Sequence, residues 1–342
     1  MSDTVGHLID RVYREYLEPV DNVESYSYLT GGIDASATTI TYANDMFSVE
    51  EEDALDAGAI LEIGRELMFS TALNVVTNEI TVTRGVRGTT AVAHTAGDII
   101  KIAPAFPRQN VFDAVSDQIK NLYPTLFAVE TLQLSATAGY GVIGDAGTDQ
   151  DSYNYLITPI KAISQYTDFS TGADQTNIGY NAVAVELVNL PNPFTWTDEN
   201  GDSQTKTYNH GPDVVNALQY YNISDGHTTY VTFKKKFLNL RDYDSDGDVE
   251  DTTLTQIGLE TEYEPIVMTG VAAQLIAGKD VKLINSNYIT EQLEAASYPV
   301  GSSNSISSGL LRYQQLLIQQ ARSNLRSKYP EAVVMHGVNY PS

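Results

Sequence analysis

The residues best suited to bind a ligand lie in one aspartate-rich segment, from Asp242 to Glu250. Carboxylates at alternate positions, Gly247 at the sixth position and Val249 at the eighth match the start of a calcium loop. The twelfth position is Thr253 instead of the bidentate glutamate that such loops require, and the flanks favour strands rather than helices. Two interpretations remain open: an aspartate-rich hairpin turn, or a structural calcium site held by Asp242, Asp244, Asp246 and Asp248.

The sequence has a single run of basic residues, Lys234 to Lys236. In a β-strand Lys234 and Lys236 lie on one face and Lys235 on the other. One interpretation is an edge strand that lysines protect from pairing with other chains. The other is a ring of lysines, formed by Lys234 and Lys236 when subunits assemble and presented to a partner or to DNA.

Residue types that perform catalysis do not form a recognisable pattern. The chain has no cysteine, its five histidines are scattered outside metal-ligand spacings, and no GxSxG motif is present. The sequence therefore predicts no enzyme, and no cofactor other than the calcium ion considered above.

The charge balance is strongly acidic. The 342 residues include 44 Asp and Glu against 20 Lys and Arg, which gives a net charge of −24. Proteins that grip duplex DNA show the opposite balance, because they replace phosphate counterions with Lys and Arg. The acidity favours either simple solubility or a surface past which DNA slides without sticking.

No targeting or membrane-spanning segment is apparent in the sequence. The first residues lack the basic region and unbroken apolar run of a signal peptide, and no apolar run reaches the roughly 18 residues that a membrane span needs. We expect a soluble protein, made in a cytoplasm, with no membrane partner.

Four amphipathic stretches are predicted as helices. The first can be capped by Asp3 or Thr4, and the second, at 108–123, by Asn110. A third begins at Pro265, and the fourth, at 308–328, follows a flexible Gly- and Ser-rich stretch and carries Arg322 and Arg326 near its C-terminal end. Since each has one apolar face, the economical arrangement is a single bundle.

The stretches between these helices show β character with Gly, Asn and Asp turns. The predicted fold class is α+β, with a central bundle of about four helices and two inserted β-barrel or β-sandwich domains. The predicted order is bundle helix 1 (1–25), a small inserted β domain (26–105), bundle helix 2 (106–127), a larger inserted β-sandwich (128–262), bundle helices 3 and 4 (263–330) and a C-terminal docking tail (331–342).

Two segments resemble proteins of tailed bacteriophages. The segment from Thr83 to His94 resembles a turn-and-strand signature of phage virion proteins; Gly85 and Gly88 would make the turn, Thr89 and Thr90 would enter the next strand, and His94 would be structural. The C-terminal third is similar to head-to-tail adaptor proteins of long-tailed phages, in the stretches 229–240, 255–260 and 264–278.

The adaptor resemblance implies a dodecameric ring in the neck of the virion, docked between the portal protein and the downstream neck or tail proteins, with DNA passing through its centre. It also implies that the C-terminal tail reaches into the portal or a neighbouring subunit through Val333, Val334, Met335 and Tyr340. An apolar tail without a core of its own can fill such a groove.

Two other functions stay open on the sequence alone. A tail-tip or baseplate receptor-binding protein would use the two β domains, the tyrosine-rich surface and the calcium loop to recognise a host surface glycan. A virion-associated hydrolase would instead turn over a cell-wall polymer.

Overall fold

The computed structural model describes residues 4–17, 26–43, 49–135, 140–142, 156–167, 178–182, 185–191, 193–197, 201–206, 214–220, 228–242, 249–277, 289 and 303–329. The fold is mixed α and β. The chain divides into two compact units. The first comprises Met1–Ile119, Tyr243–Leu254 and Glu262–Leu317; the second comprises Lys120–Asp242, Thr255–Thr261 and Ile318–Ser342.

The first helix, α1 (Val5–Val12), continues into a π-helical turn, Tyr13–Leu17. Thr4 caps it, since the Thr4 hydroxyl accepts a hydrogen bond of 3.3 Å from the His7 N–H, as predicted. The apolar side chains of α1 are buried and the helix packs against α4 (Glu264–Ile276). An ion pair between Arg11 and Glu264 joins the two helices.

Helix α4 differs from the predicted amphipathic helix, because it is buried on nearly every side. Ten of its residues are buried, and they cover all faces of the helix: Glu264, Ile266, Val267, Met268, Thr269, Gly270, Val271, Ala272, Ala273 and Ile276. A helix that is apolar all round belongs in a protein interior. Pro265 occupies its first turn, as predicted.

Of the other two long helices, the second lies where it was predicted but does not use Asn110 as its cap, and the fourth starts earlier than predicted. Helix α3 (Arg108–Leu122) begins before Asn110, and its first N–H, that of Arg108, donates to the Glu62 carboxylate at 2.6 Å. Helix α5 (Ser303–Lys328) begins inside the stretch predicted to be flexible. Burial of Ile306 and a hydrogen bond of 2.7 Å from the Ser307 hydroxyl to the Ala273 carbonyl hold this first turn in helical form.

Helices α3, α4 and α5 meet at Gly270. Gln314 of α5 donates to Gln118 of α3 at 2.9 Å and to the Ile266 carbonyl of α4 at 3.1 Å. A Cβ atom on Gly270 would lie 2.1 Å from Gln314 Nε2 and 2.3 Å from Gln118 Oε1. The absence of a side chain at Gly270 therefore allows Gln314 and Gln118 to lie close to the backbone of α4.

Between α1 and α3 lies a curled, six-stranded antiparallel sheet in the order β1-β6-β3-β4-β5-β2. Its two edge strands meet at a bridge between Leu29 and Tyr42, next to a hydrogen bond of 2.9 Å from the Ala43 N–H to the Tyr28 carbonyl. A short helix, α2 (Val49–Ala57), packs against β4. The strands are β1 (Tyr26–Tyr28), β2 (Thr39–Thr41), β3 (Ile60–Ile63), β4 (Glu66–Asn74), β5 (Glu79–Thr83) and β6 (Ile99–Ile102).

The second unit contains three antiparallel sheets, in the orders β10-β9-β15-β7, β11-β14-β8 and β12-β13. The two-stranded sheet is a hairpin. The strands are β7 (Ala128–Ser135), β8 (Tyr140–Val142), β9 (Leu156–Thr167), β10 (Ile178–Ala182), β11 (Val185–Pro191), β12 (Phe194–Thr197), β13 (Ser203–Lys206), β14 (Val214–Tyr220) and β15 (Thr228–Lys235).

Candidate functional site: a basic pocket in the second unit

The lysine run does not lie on an edge strand. Lys234 belongs to β15, which pairs with β7 on one side, where Lys234 faces Val129, and with β9 on the other, where it faces Thr158. The interpretation of lysines protecting an unpaired edge is therefore wrong, because both edges of this strand are occupied.

Lys234 and Lys236 both lie against aromatic rings of the segment between α3 and β7. Lys234 Nζ is 5.0 Å from the centre of the Phe127 ring, and Lys236 Nζ is 5.6 Å from that of Tyr123. Ammonium groups at this distance are attracted to the face of a ring. Lys234 lies in β15, and Lys236 directly follows its last residue, Lys235.

Lys234 also lines a pocket of about 200 Å³ together with the C-terminal part of α5. Arg322 and Arg326 are four residues apart on α5, so their side chains emerge on the same face. Leu325, which is buried, lies beside them. The complete lining is Pro124, Thr125, Phe127, Lys234, Arg322, Leu325, Arg326 and Tyr329.

Three cationic and two aromatic side chains make this basic pocket suited to an anion carried on an apolar or aromatic group. Arginine can bind a carboxylate or phosphate through two parallel N–H groups. Within the part of the chain that the structure describes, neither Arg322 nor Arg326 forms an ion pair, whereas the neighbouring Lys328 pairs with Glu260 at 3.2 Å. In the sequence both arginines are recognisable only as cations near the C-terminal end of a helix, and no pattern connects them with Lys234.

The segment from Thr83 to His94 contains a tight turn at Gly85 and Gly88, as predicted. Gly85, Arg87 and Gly88 all have positive φ angles, of 62°, 55° and 84°. Thr89 and Thr90 do not enter a strand, which corrects the prediction. The Thr89 hydroxyl instead accepts a hydrogen bond of 3.0 Å from the Leu67 N–H.

A buried carboxylate, Glu66, organises this turn. Arg84 binds both oxygens of Glu66 at 2.7 Å, and His94 Nε2 lies 2.9 Å from Glu66 Oε2. The backbone N–H groups of Gly85 and Val92 donate to the same carboxylate. The Glu66 side chain is fully buried, so the surrounding donors replace the water that it has lost.

The environment of Glu66 favours its ionised form. Burial by itself would raise the pKa of the carboxyl, but hydrogen bonds from Arg84, His94 and the Val92 N–H, with the charge of Arg84, lower the pKa to about 2. This cluster is a structural clamp: Arg84 and His94 both contact the Glu66 carboxylate, and the side chains of all three residues are buried.

A second ion-pair network engages Glu250, the last residue of the aspartate-rich segment. Arg108 Nη2 lies 2.6 Å from Glu250 and Nη1 lies 2.8 Å from Asp10, and Arg65 approaches Glu250 at 3.5 Å. Burial would lower the pKa of Arg108, but hydrogen bonds to Glu250 and Asp10 raise it further above its ordinary value. The Glu250 carboxylate therefore forms ion pairs with Arg108 and Arg65.

Several predicted site residues lie outside the described residues. They are Asp244, Asp246 and Asp248 of the calcium loop and the tail residues Val333, Val334, Met335 and Tyr340. The backbone of Asp242 ends a 3-10 turn, Leu240–Asp242. Within the described ranges, no three His, Asp or Glu side chains are grouped to hold a metal ion.

Among the helices that the structure describes, none is long and apolar enough to cross a membrane. Comparison with protein-family models gives no match, and a search of curated proteins finds no similar sequence.

Proposed function

We propose that the chain is a structural virion protein, a head-to-tail adaptor that forms a ring between the portal and the tail of a long-tailed phage. The proposal starts from the resemblance of the C-terminal third to such adaptors, which includes helix α4. In this proposal the protein is not an enzyme, is made in the host cytoplasm and resides in the virion neck.

The observation that carries the proposal is that the first unit contains helices from distant parts of the sequence: α1 and α4, with α3 up to Ile119 and α5 up to Leu317. Helix α1 precedes the curled sheet, α3 separates the two β regions, and α4 and α5 follow both. Within the first unit α1 contacts α4, and α3, α4 and α5 meet at Gly270. We propose that these are the four helices of a central bundle from which the β regions extend as inserted domains.

The acidic charge supports a role as a DNA conduit. A net charge of −24 repels phosphate, so DNA moving through a ring of such subunits would not be held by counterion exchange. The ring would be dodecameric and closed by head-to-tail contacts between copies. The calcium loop remains a candidate structural site within this arrangement.

The proposed partners are the portal protein and the downstream neck or tail proteins. Val333, Val334, Met335 and Tyr340 would dock on the portal or on the neighbouring copy. An extended apolar segment can add a strand or fill a groove on a partner.

Electron microscopy of the purified chain mixed with its portal tests this function. Symmetric rings stacked on the portal are the expected result. Isolated trimeric spikes, or a position at the distal end of the tail, would overturn the adaptor and favour the receptor-binding alternative, which also predicts binding to host glycan by the chain alone.

The docking role of the tail has a matched control. Val333→Asp should weaken binding to the portal, because a charge would enter an apolar groove. Val76→Asp makes the same chemical change at a valine that is 87% exposed on the curled sheet, and portal binding should not change. Equal loss in both variants, or in neither, would contradict the docking role.

A further inference from the structure

The basic pocket concentrates positive charge in a chain that has little of it. Lys234, Arg322 and Arg326 are three of only 20 Lys and Arg residues, and all three line one cavity. Arg322 and Arg326 are exposed and one helical turn apart. Like charges at this spacing destabilise a helix. A bound anion would relieve that repulsion.

The residues that line the pocket also indicate which chemical groups the ligand carries beside its anionic group. Phe127, Leu325 and Pro124 supply apolar surface, and Tyr329 supplies an aromatic ring with a polar tip. A volume of about 200 Å³ admits one or two side chains rather than a folded element. The complementary ligand is therefore a short protruding segment that carries a carboxylate beside apolar atoms.

We propose that the basic pocket receives a carboxylate-bearing segment from a second copy of this chain. The proposal rests on the ring proposed above, in which each copy presents one surface to a different surface of the next. Charge complementarity supports a second copy as the source, because every copy carries 44 Asp and Glu against 20 Lys and Arg. A local basic pocket on such an acidic protein fixes where two copies can touch and in which register.

Duplex DNA fits the pocket less well. Phosphates would meet three cations on a protein of net charge −24, and few neutralised phosphates give a weak and strongly salt-dependent contact. The apolar lining would gain nothing from a phosphate backbone. Binding of DNA in the pocket is therefore the alternative that the experiments below also test.

Sedimentation velocity of the full-length chain over a range of concentrations tests the inference. Arg322→Glu and Arg326→Glu should each weaken self-association about tenfold or more, because a repulsive pair replaces an attractive one. Arg312→Glu is the matched control: it makes the same charge change at an exposed arginine of α5 that does not line the pocket, and self-association should stay within about twofold. Circular dichroism of each variant checks that the helix is intact.

Zero-length carboxyl-to-amine cross-linking of a mixture of isotopically light and heavy chains identifies the contact directly. The expected product joins Lys234 of one copy to an Asp or Glu of another. Cross-links of Lys234 confined to its own copy, or pocket variants that associate like the wild type, would overturn the inference while symmetric rings on the portal still upheld the adaptor. A wild-type chain that stays monomeric would overturn it too.

A short duplex DNA probe, followed by fluorescence polarisation at low salt, completes the test. The expected result is no binding to the wild type. Binding that is lost in Arg322→Glu and kept in Arg312→Glu would overturn the inference, because phosphate would then be the occupant of the pocket.

Discussion

At the scale of single residues, Glu66 ties together parts of the curled sheet that are separate in sequence. Its carboxylate accepts from Arg84, 18 residues away, and lies against His94, 28 residues away. Arg84 in turn donates to the carbonyls of Asp34 and Ala37. The glycines of the turn were recognisable from sequence, since only such residues adopt positive φ easily. Glu66 was not, because nothing local marks it as the partner of Arg84.

Glu66→Gln should destabilise the protein strongly. The substitution keeps the shape of the side chain but leaves the Arg84 charge buried without its counter-charge, which costs about 3 kcal/mol or more. Glu260→Gln is the control, because the exposed pair of Glu260 with Lys328 contributes about 1 kcal/mol at most. Urea unfolding followed by circular dichroism measures both. A similar small loss in the two variants would contradict the structural role of Glu66.

The low pKa of Glu66 predicts a specific dependence of stability on pH. The folded protein holds this pKa at about 2, against an ordinary value of 4.5. The unfolded chain therefore takes up the proton first, and the stabilisation is complete above about pH 4.5 and lost as pH falls towards 2. The shift corresponds to about 3 kcal/mol.

Comparison of the wild type with Glu66→Gln at several pH values isolates this contribution. The difference in unfolding free energy between the two should shrink as the pH is lowered from about 5 to about 2. A difference that stays constant over this range would show that Glu66 is not ionised in the folded protein.

At the scale of elements, periodicity predicted the helices well where a local signal marked their ends. Pro265 marked the start of α4 and Thr4 that of α1. The cap of α3 and the start of α5 depend on partners elsewhere in the sequence, the Glu62 carboxylate and the Ala273 carbonyl, so local sequence could not identify them. The sequence of strand β4 does not alternate cleanly between apolar and polar residues, so a period of two does not mark this strand.

Gly270→Ala should destabilise the first unit, although alanine is the better helix former by about 1 kcal/mol. The added methyl would lie 2.1 Å from Gln314 Nε2 and force apart the contact between α4, α5 and α3. Overpacking of this kind costs about 1–3 kcal/mol, measurable as a lower urea midpoint.

A second substitution tests the cause. Gln118→Ala removes one of the two side chains that the methyl would meet, so the double variant should recover part of the loss. If the two changes are simply additive, the close approach at Gly270 is not the reason for the effect.

At the scale of the whole molecule, the alternation of helical and β stretches along the chain was readable from sequence, and the mixed class was correct. The pairing of strands was not. The sheet order β1-β6-β3-β4-β5-β2 and the interior position of β15 depend on contacts between distant segments, which a strand pattern does not encode. The basic pocket was missed for the same reason, because Lys234 and the arginines of α5 come together only in the fold.

The separation into two units predicts regional effects of substitutions. In Glu66→Gln, amide hydrogen exchange should rise across the curled sheet, which loses its buried clamp, and stay unchanged in β15 of the second unit. Mass spectrometry of deuterated peptides measures this. An equal rise in peptides of both units would mean that the whole chain opens as one cooperative body.

The hydrogen bond from the first N–H of α3 to Glu62 limits how the chain can be shortened. The carboxylate that accepts this hydrogen bond belongs to strand β3. The region between α1 and α3 therefore cannot be deleted without removing the partner of the first N–H of α3. A shortened chain would begin α3 with an unsatisfied donor and would also lack Arg65 beside Glu250.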